Sequence, residues 1–452
     1  MSDIEKTVYC RGNLLAGFDR KREFMEERIK YGIENNRKGY AFLTVKDASG
    51  NPVKGQKIRV TLKKHEFYHG ANVFMLDEFE NEEKNSFYKK NFANAFNTAT
   101  LPFYWCDLEP QPGKLRFERD SVKVYRRPAP DLCLEFCKEN NIIPKAHCLN
   151  YGTFTPKWVP NSVYANKLAL EKRFAQLAER YREKINFWEV TNETFWDAKD
   201  PAFANFPFYL EPDLIEWSFE MARKYFPANK LAINESNRWI WEKTAFYFDR
   251  SPYYMQIERA LSRGAKIDSV GMQYHMFYNK DEAVSKSMPF YDPEWLFDVL
   301  DTYWQLQIPI HISEVTIPAY SNTPEDEAIQ AEIIRDLYRI WFSHPAMEGI
   351  LYWNLIDGYA YGTAQGDMSA GENRFHGGLL RFDGSPKPSY EVIRQLFHEE
   401  WHTDLELETD SNGEAGFRGF YGDYEVFRPD GSCGTFTFSK SLKRKFNISV
   451  QH

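Results

Sequence analysis

Between residues 67 and 401 short apolar stretches alternate with longer amphipathic ones, eight times over. The short stretches are FYHGANVF, NTATLPF, IIPKAHCLN, INFWEVTNE, KLAINES, IDSVGMQYH, IHISEVTI and GILYWNLID. Helical segments such as KLALEKRFAQLAERYREK and DEAIQAEIIRDLYRIWFS lie between them, and SYEVIRQLFHEEW closes the last unit. Strands that follow one another through helices are driven to pair in parallel, since a parallel pair needs a long crossover. Eight such units predict an α/β chain folded as a (β/α)8 TIM barrel. A doubly wound open sheet is the alternative. It would carry a glycine-rich phosphate loop after a strand, and none is present.

The flanks follow a different rhythm. Residues 1–35 read as a leader with a helical stretch, REFMEERIKYGIEN. Residues 38–66 alternate apolar and polar with turns at Ser-Gly-Asn-Pro and Lys-Gly. After residue 402 the alternation returns, with turns expected at Asn-Gly, Tyr-Gly-Asp and Asp-Gly. Neither flank is long enough to bury a core alone. The expected organisation is therefore 1–66 as leader and first strands, 67–401 as the barrel, and 402–452 as strands that pack with 38–66 into one β-sandwich.

Composition removes several function classes. There are 57 basic against 65 acidic residues, and the basic ones are scattered, so no cationic face for nucleic acid is expected. No run approaches the roughly 18 apolar residues of a membrane span, so no membrane partner is expected. The charged N-terminus lacks the apolar core of a signal peptide, which predicts a cytoplasmic protein. Cys10, Cys106, Cys133, Cys137, Cys148 and Cys433 follow neither a disulfide framework nor paired zinc spacing, even with His147 beside Cys148. No metal is expected.

In a barrel of this kind the chemistry sits at the C-terminal ends of the strands. Glu193 ends the fourth strand and Glu314 falls at the end of the seventh, on opposite sides of the mouth. Two facing carboxylates suit glycoside hydrolysis, at about 5–5.5 Å for retention or about 6.5–9.5 Å for inversion. Asn192 is placed to hydrogen-bond a sugar hydroxyl. Gln273 and His275 end the neighbouring sixth strand, where a histidine either donates to Glu314 or serves the fold. His147 ends the third strand with the same two readings. Trp353 on the eighth strand offers a stacking face or fills the core.

Together these segments resemble glycoside hydrolase family 10, the endo-1,4-β-xylanase family. WEVTNE is similar to its acid/base motif, usually Trp-Asp-Val-Val-Asn-Glu, and HISEVTI to its nucleophile motif, usually Ile-Thr-Glu-Leu-Asp-Ile. DSVGMQYH, AHCLNYGTFTPKWV and WCDLEPQPGKLRF resemble three further family segments, in the family's order. The resemblance implies Glu193 as acid/base and Glu314 as nucleophile of a retaining enzyme that cleaves β-1,4-linked xylan or xylo-oligosaccharides. It implies Asn192 on the 2-hydroxyl, His147, Gln273 and His275 lining the site of cleavage, and Trp353 flooring it. Tyr151 and Trp105 join them as substrate-binding residues. The implied partner is a carbohydrate substrate, and no cofactor is implied. The chain departs from the family where the sugars of the non-reducing side are held: Thr100, Leu101 and Tyr104 stand where Glu, Asn and Lys are usual, and Tyr151, Gly152 and Phe154 where Trp, His and Gln are usual. The alternatives are therefore a substituted xylan, another β-linked glycan, or an inactive carbohydrate-binding barrel. For an active pair a bell-shaped pH profile with a mildly acidic optimum is expected.

Overall fold

The computed structural model describes residues 8–197, 206–243, 247–440 and 444–450, so the first seven residues of the expected leader lie outside it. Two strands precede the barrel, β1 (Lys38–Lys46) and β2 (Lys57–His65). Eight parallel strands then follow in chain order: β3 (Tyr68–Asn72), β4 (Thr98–Pro102), β5 (Ile143–His147), β6 (Phe187–Asn192), β7 (Lys230–Glu235), β8 (Ser269–His275), β9 (Ile310–Thr316) and β10 (Met347–Tyr352). Each is bonded to the next, and β10 pairs with β3 to close the barrel. All eight expected strands are present, shorter at their ends than the apolar stretches that marked them. Every residue of β4, β6 and β9 is buried. Strands covered on both faces have no solvent side, so their polar residues, Glu189 and His311 among them, are buried as well.

The barrel interior is packed at its base. The Tyr68 ring stacks on His311 at 5.4 Å, and Phe187 meets the same imidazole edge-on at 4.8 Å. The helix Arg22–Asn36, expected as part of a leader, lies against the barrel helix Pro324–Ser343. Arg22 pairs with Asp336 at 2.8 Å and Arg339 with Glu26 at 2.7 Å. No described helix is long and apolar enough to cross a membrane.

Five strands follow the barrel: β11 (Asp404–Glu408), β12 (Glu414–Phe420), β13 (Gly422–Phe427), β14 (Cys433–Phe438) and β15 (Lys445–Ser449). They combine with the first two in a pair of sheets, ordered β12-β1-β15 and β11-β2-β13-β14. Rings from the two sheets meet between them, Phe417 with Tyr424 at 5.5 Å and Phe438 with Phe446 at 5.9 Å. Only one of the three expected turns closes a hairpin: Asp430-Gly431, with Gly431 at φ 87°, joins the paired strands β13 and β14. Asn412-Gly413 and Tyr421-Gly422-Asp423 instead carry the chain from one sheet to the other. The reason is that β1 and β2 sit in different sheets and each takes a partner from the far end of the chain, β12 and β13 respectively.

Candidate active site

Both expected carboxylates stand just beyond an irregularity in their strand. The β6–β7 register shifts between Glu189 and Thr191, and the β8–β9 register shifts so that Met272 and Gln273 face Ile312 and Glu314. Ser313 is the extra residue on β9. A bulge of this kind bends the strand and re-aims the side chains after it. Glu193 itself holds the left-handed φ of 51°, uncommon for a residue with a side chain.

One amide ties the pair together. Gln273 Nε2 donates to Glu193 Oε1 at 2.9 Å and to Glu314 Oε1 at 3.2 Å. The two accepting oxygens can be no farther apart than two hydrogen bonds laid end to end, about 6 Å. That is closer than the about 6.5 Å at which inverting pairs begin. Asn234 Nδ2 also donates to Glu314 Oε1, at 3.0 Å, and to Asn192 Oδ1 at 2.7 Å. Ser313 Oγ donates to Asn234 Oδ1 at 2.5 Å, which fixes the orientation of that amide. Gly271 makes this possible, because a Cβ there would stand 2.4 Å from Asn234 Oδ1. On the other Glu314 oxygen, His275 Nε2 lies 3.2 Å away, while His275 Nδ1 faces the Thr316 hydroxyl at 2.9 Å. Tyr151 donates its hydroxyl to Glu193 Oε2 at 2.7 Å.

The electrostatics follow from burial. Glu314 is 4% exposed, and burial pushes its carboxyl up to about 8; Glu189 and Glu193 add to the rise and His147 opposes it. Burial also pulls His275 down to about 4, so its imidazole is neutral near pH 7. Beneath them, burial would raise Glu189 too, but Lys145 and His147 outweigh it and hold that carboxyl at about 2. The His147 Nδ1 is hydrogen-bonded to Glu189 and lies 4.0 Å from Glu314 Oε1.

The cavity above the pair is ≈ 220 Å³ and takes in His147, Tyr151, Asn192, Glu193, His275, Glu314 and Trp353 from the expected set. Trp353 is ringed by Phe74, His147 and His275 at 5.3, 5.7 and 6.0 Å between centroids. Gln273 acts from below through its hydrogen bonds. Trp105 is not brought to the site. It is buried, donates to Glu109 Oε2 at 3.0 Å and packs edge-on against Trp158. The small Gly152 and the loop around it leave Tyr151 and Phe154 to line the wall.

Sequence reading missed several residues here. Asn234 ends an expected strand, and the strand-end rule alone would have found it. Its neighbour Glu235 is fully buried and raised by that burial to about 8; it accepts from the Phe195 backbone N–H at 3.3 Å and so anchors the loop after Glu193. Arg126, Arg127, Tyr361 and Glu372 also line the cavity but come from long loops with no periodicity to mark them.

A family model of glycosyl hydrolase family 10 matches residues 63–395. Among curated proteins, the anti-sigma-I factor RsgI6 of Acetivibrio thermocellus is 23% identical over 421 residues, 91% of this chain and 48% of that protein. Endo-1,4-beta-xylanase 1 of Arabidopsis thaliana is 24% identical over 413 residues, 88% of this chain and 37% of that protein. The chain thus spans less than half the length of these relatives. Among solved structures, xylanase 10B from Thermotoga petrophila RKU-1 in complex with xylobiose superposes with a TM-score of 0.57 at 22% identity, over 74% of this chain and 95% of that one.

Proposed function

From a chain that belongs to glycosyl hydrolase family 10, we propose a retaining glycoside hydrolase that cleaves β-1,4-linked xylan or xylo-oligosaccharides by double displacement. The observation that carries this reading is the single Gln273 amide within hydrogen-bonding distance of both Glu193 and Glu314. It sets a spacing suited to a nucleophile rather than to an intervening water.

In the first step a Glu314 carboxylate oxygen attacks the anomeric carbon, the glycosidic C–O bond breaks, and Glu193 gives its proton to the departing oxygen. In the second, Glu193 takes a proton from water, the resulting oxygen attacks the same carbon, and the ester bond to Glu314 breaks. The amides of Asn234 and Gln273 and the His275 imidazole hold the Glu314 oxygens throughout, so little reorganisation accompanies the change in charge. Asn192, aligned by Asn234, is positioned for the 2-hydroxyl, and Trp353 for the sugar face.

The test is product release from linear xylo-oligosaccharides, substituted xylans and mixed-linkage β-glucans, by wild type and by Glu314→Gln. Release with retained anomeric configuration, lost in the variant, is the expected result. Release with inverted configuration overturns the nucleophile assignment. No release from any member of the panel overturns the enzyme reading in favour of a carbohydrate-binding barrel.

A further inference from the structure

We propose that the cleft is blind on the side of the sugar being transferred, so that the protein removes single sugars from the non-reducing end of its substrate instead of cutting within the chain. This rests on the hydrolase reading above. The transferred sugar must lie over Glu314, and the leaving group on the side of Glu193. Any continuation of the chain toward the non-reducing end therefore runs the other way, past Phe74, Tyr104 and Trp353 beyond the ends of β3, β4 and β10.

That way is walled. Arg126, in the loop after β4, donates to the Tyr359 carbonyl and, at 2.7 Å, to Asn354 Oδ1, both in the loop after β10. Asn354 in turn donates to Glu372 at 3.0 Å and accepts from Asn72, at the end of β3, at 3.3 Å. Above this seam the Arg127 guanidinium lies 3.8 Å from the Tyr104 ring centroid, 4.9 Å from Tyr361 and 5.4 Å from Phe154. Phe154, from the loop after β5, also meets Tyr104 at 4.2 Å and Tyr361 at 5.8 Å. Loops from the second, third and eighth barrel strands thus touch one another across the end of the cleft.

The wall is built, not draped. Arg127 Nε donates to Asp107 at 2.8 Å and its Nη1 to the Arg126 carbonyl at 3.0 Å. Arg126 is buried and holds a φ of 61°, which a residue with a side chain keeps only when its surroundings enforce it. The space left is the ≈ 220 Å³ cavity, smaller than the about 300–1,000 Å³ of sites that engulf a drug-sized ligand. It suits one sugar ring.

The experiment uses xylohexaose labelled at its reducing end, alone and with its non-reducing terminal 4-hydroxyl extended by a bulky ether. Wild type should release monosaccharide and labelled pentamer from the earliest times, at least 10-fold ahead of any shorter labelled product, and should cut the capped substrate at least 100-fold more slowly. Tyr361→Ala, a change at an exposed position, should narrow that gap by opening the end of the cleft. Early labelled dimer, trimer or tetramer, or equal rates on capped and uncapped substrates, overturns the proposal while leaving the hydrolase reading intact. If neither is hydrolysed, the reading of linear xylo-oligosaccharides as substrate falls. Calorimetric titration then decides the wall: weaker binding of the capped hexamer supports it, and equal binding overturns it.

Discussion

Two carboxylates in one barrel, both within 4.0 Å of the same histidine, are driven in opposite directions. Glu189 on β6 is held at about 2, and Glu314 on β9 is raised to about 8. Both are buried, and both face His147. The difference lies in the other partners. Glu189 touches the Lys145 ammonium, a counter-charge buried with it. Glu314 has the neutral amides of Asn234 and Gln273 and a neutral imidazole. A unit charge offsets the loss of water around a carboxylate; a few dipoles offset it only in part. The lower layer therefore holds an ion pair that braces the barrel, while the mouth keeps a carboxylate whose charge is costly and so available to form a bond.

The largest effect should come from removing the costly charge. Glu314→Gln is expected to lower kcat/KM by at least about 10⁴-fold, since a nucleophile is lost outright. The same change should stabilise the fold. Because the folded value lies above the unfolded one, native protein keeps a proton that the unfolded chain has released, and stability falls as pH rises from about 4.5 toward 8. Melting curves of wild type and variant should diverge across that window; parallel curves would contradict the buried, raised carboxyl. Glu189→Gln tests the other half of the contrast. It strands Lys145 without an anion, and chemical denaturation should show a loss of about 3–5 kcal/mol. An effect under 1 kcal/mol would mean that the lower pair is not a brace.

Asn234→Ala should cost about 10²-fold, chiefly in kcat, by removing one donor from Glu314 and one from Asn192. A change confined to KM would assign Asn234 to substrate grip alone. The smallest effect is in the pH profile. The sequence suggests a mildly acidic optimum, but Glu314 must be ionised to attack, so burial moves the acid limb of kcat/KM up toward 8. About a tenfold fall between pH 7 and pH 6 is expected, and a limb centred near 4.5 would show that the amides offset the burial in full.

The barrel was legible because its signal is local and repeated: eight apolar runs, each ending where chemistry can sit. Glu193, Glu314, Asn192 and His275 were legible for the same reason. What could not be read were contacts made by segments remote in sequence. Arg126 finds its partners 228 and 233 residues away, and no periodicity points to them. Asn234 could be placed near a strand end, but not the room that Gly271 on the next strand leaves for its amide. Trp105 misleads in the opposite sense, because a motif fixes its place in the chain but not which way the indole turns. In the flanking sheets, turn residues identify where the chain bends without saying which sheet the next strand joins.

That last arrangement governs the order in which the molecule can be made. β1 lies between β12 and β15, and β2 between β11 and β13. The whole barrel must therefore leave the ribosome before either early strand meets a partner, and the sandwich cannot nucleate the fold. Nor can it be excised as a continuous piece of gene. A transplant of this module would have to carry its two halves at opposite ends of the host, like a clasp sewn to both ends of a belt.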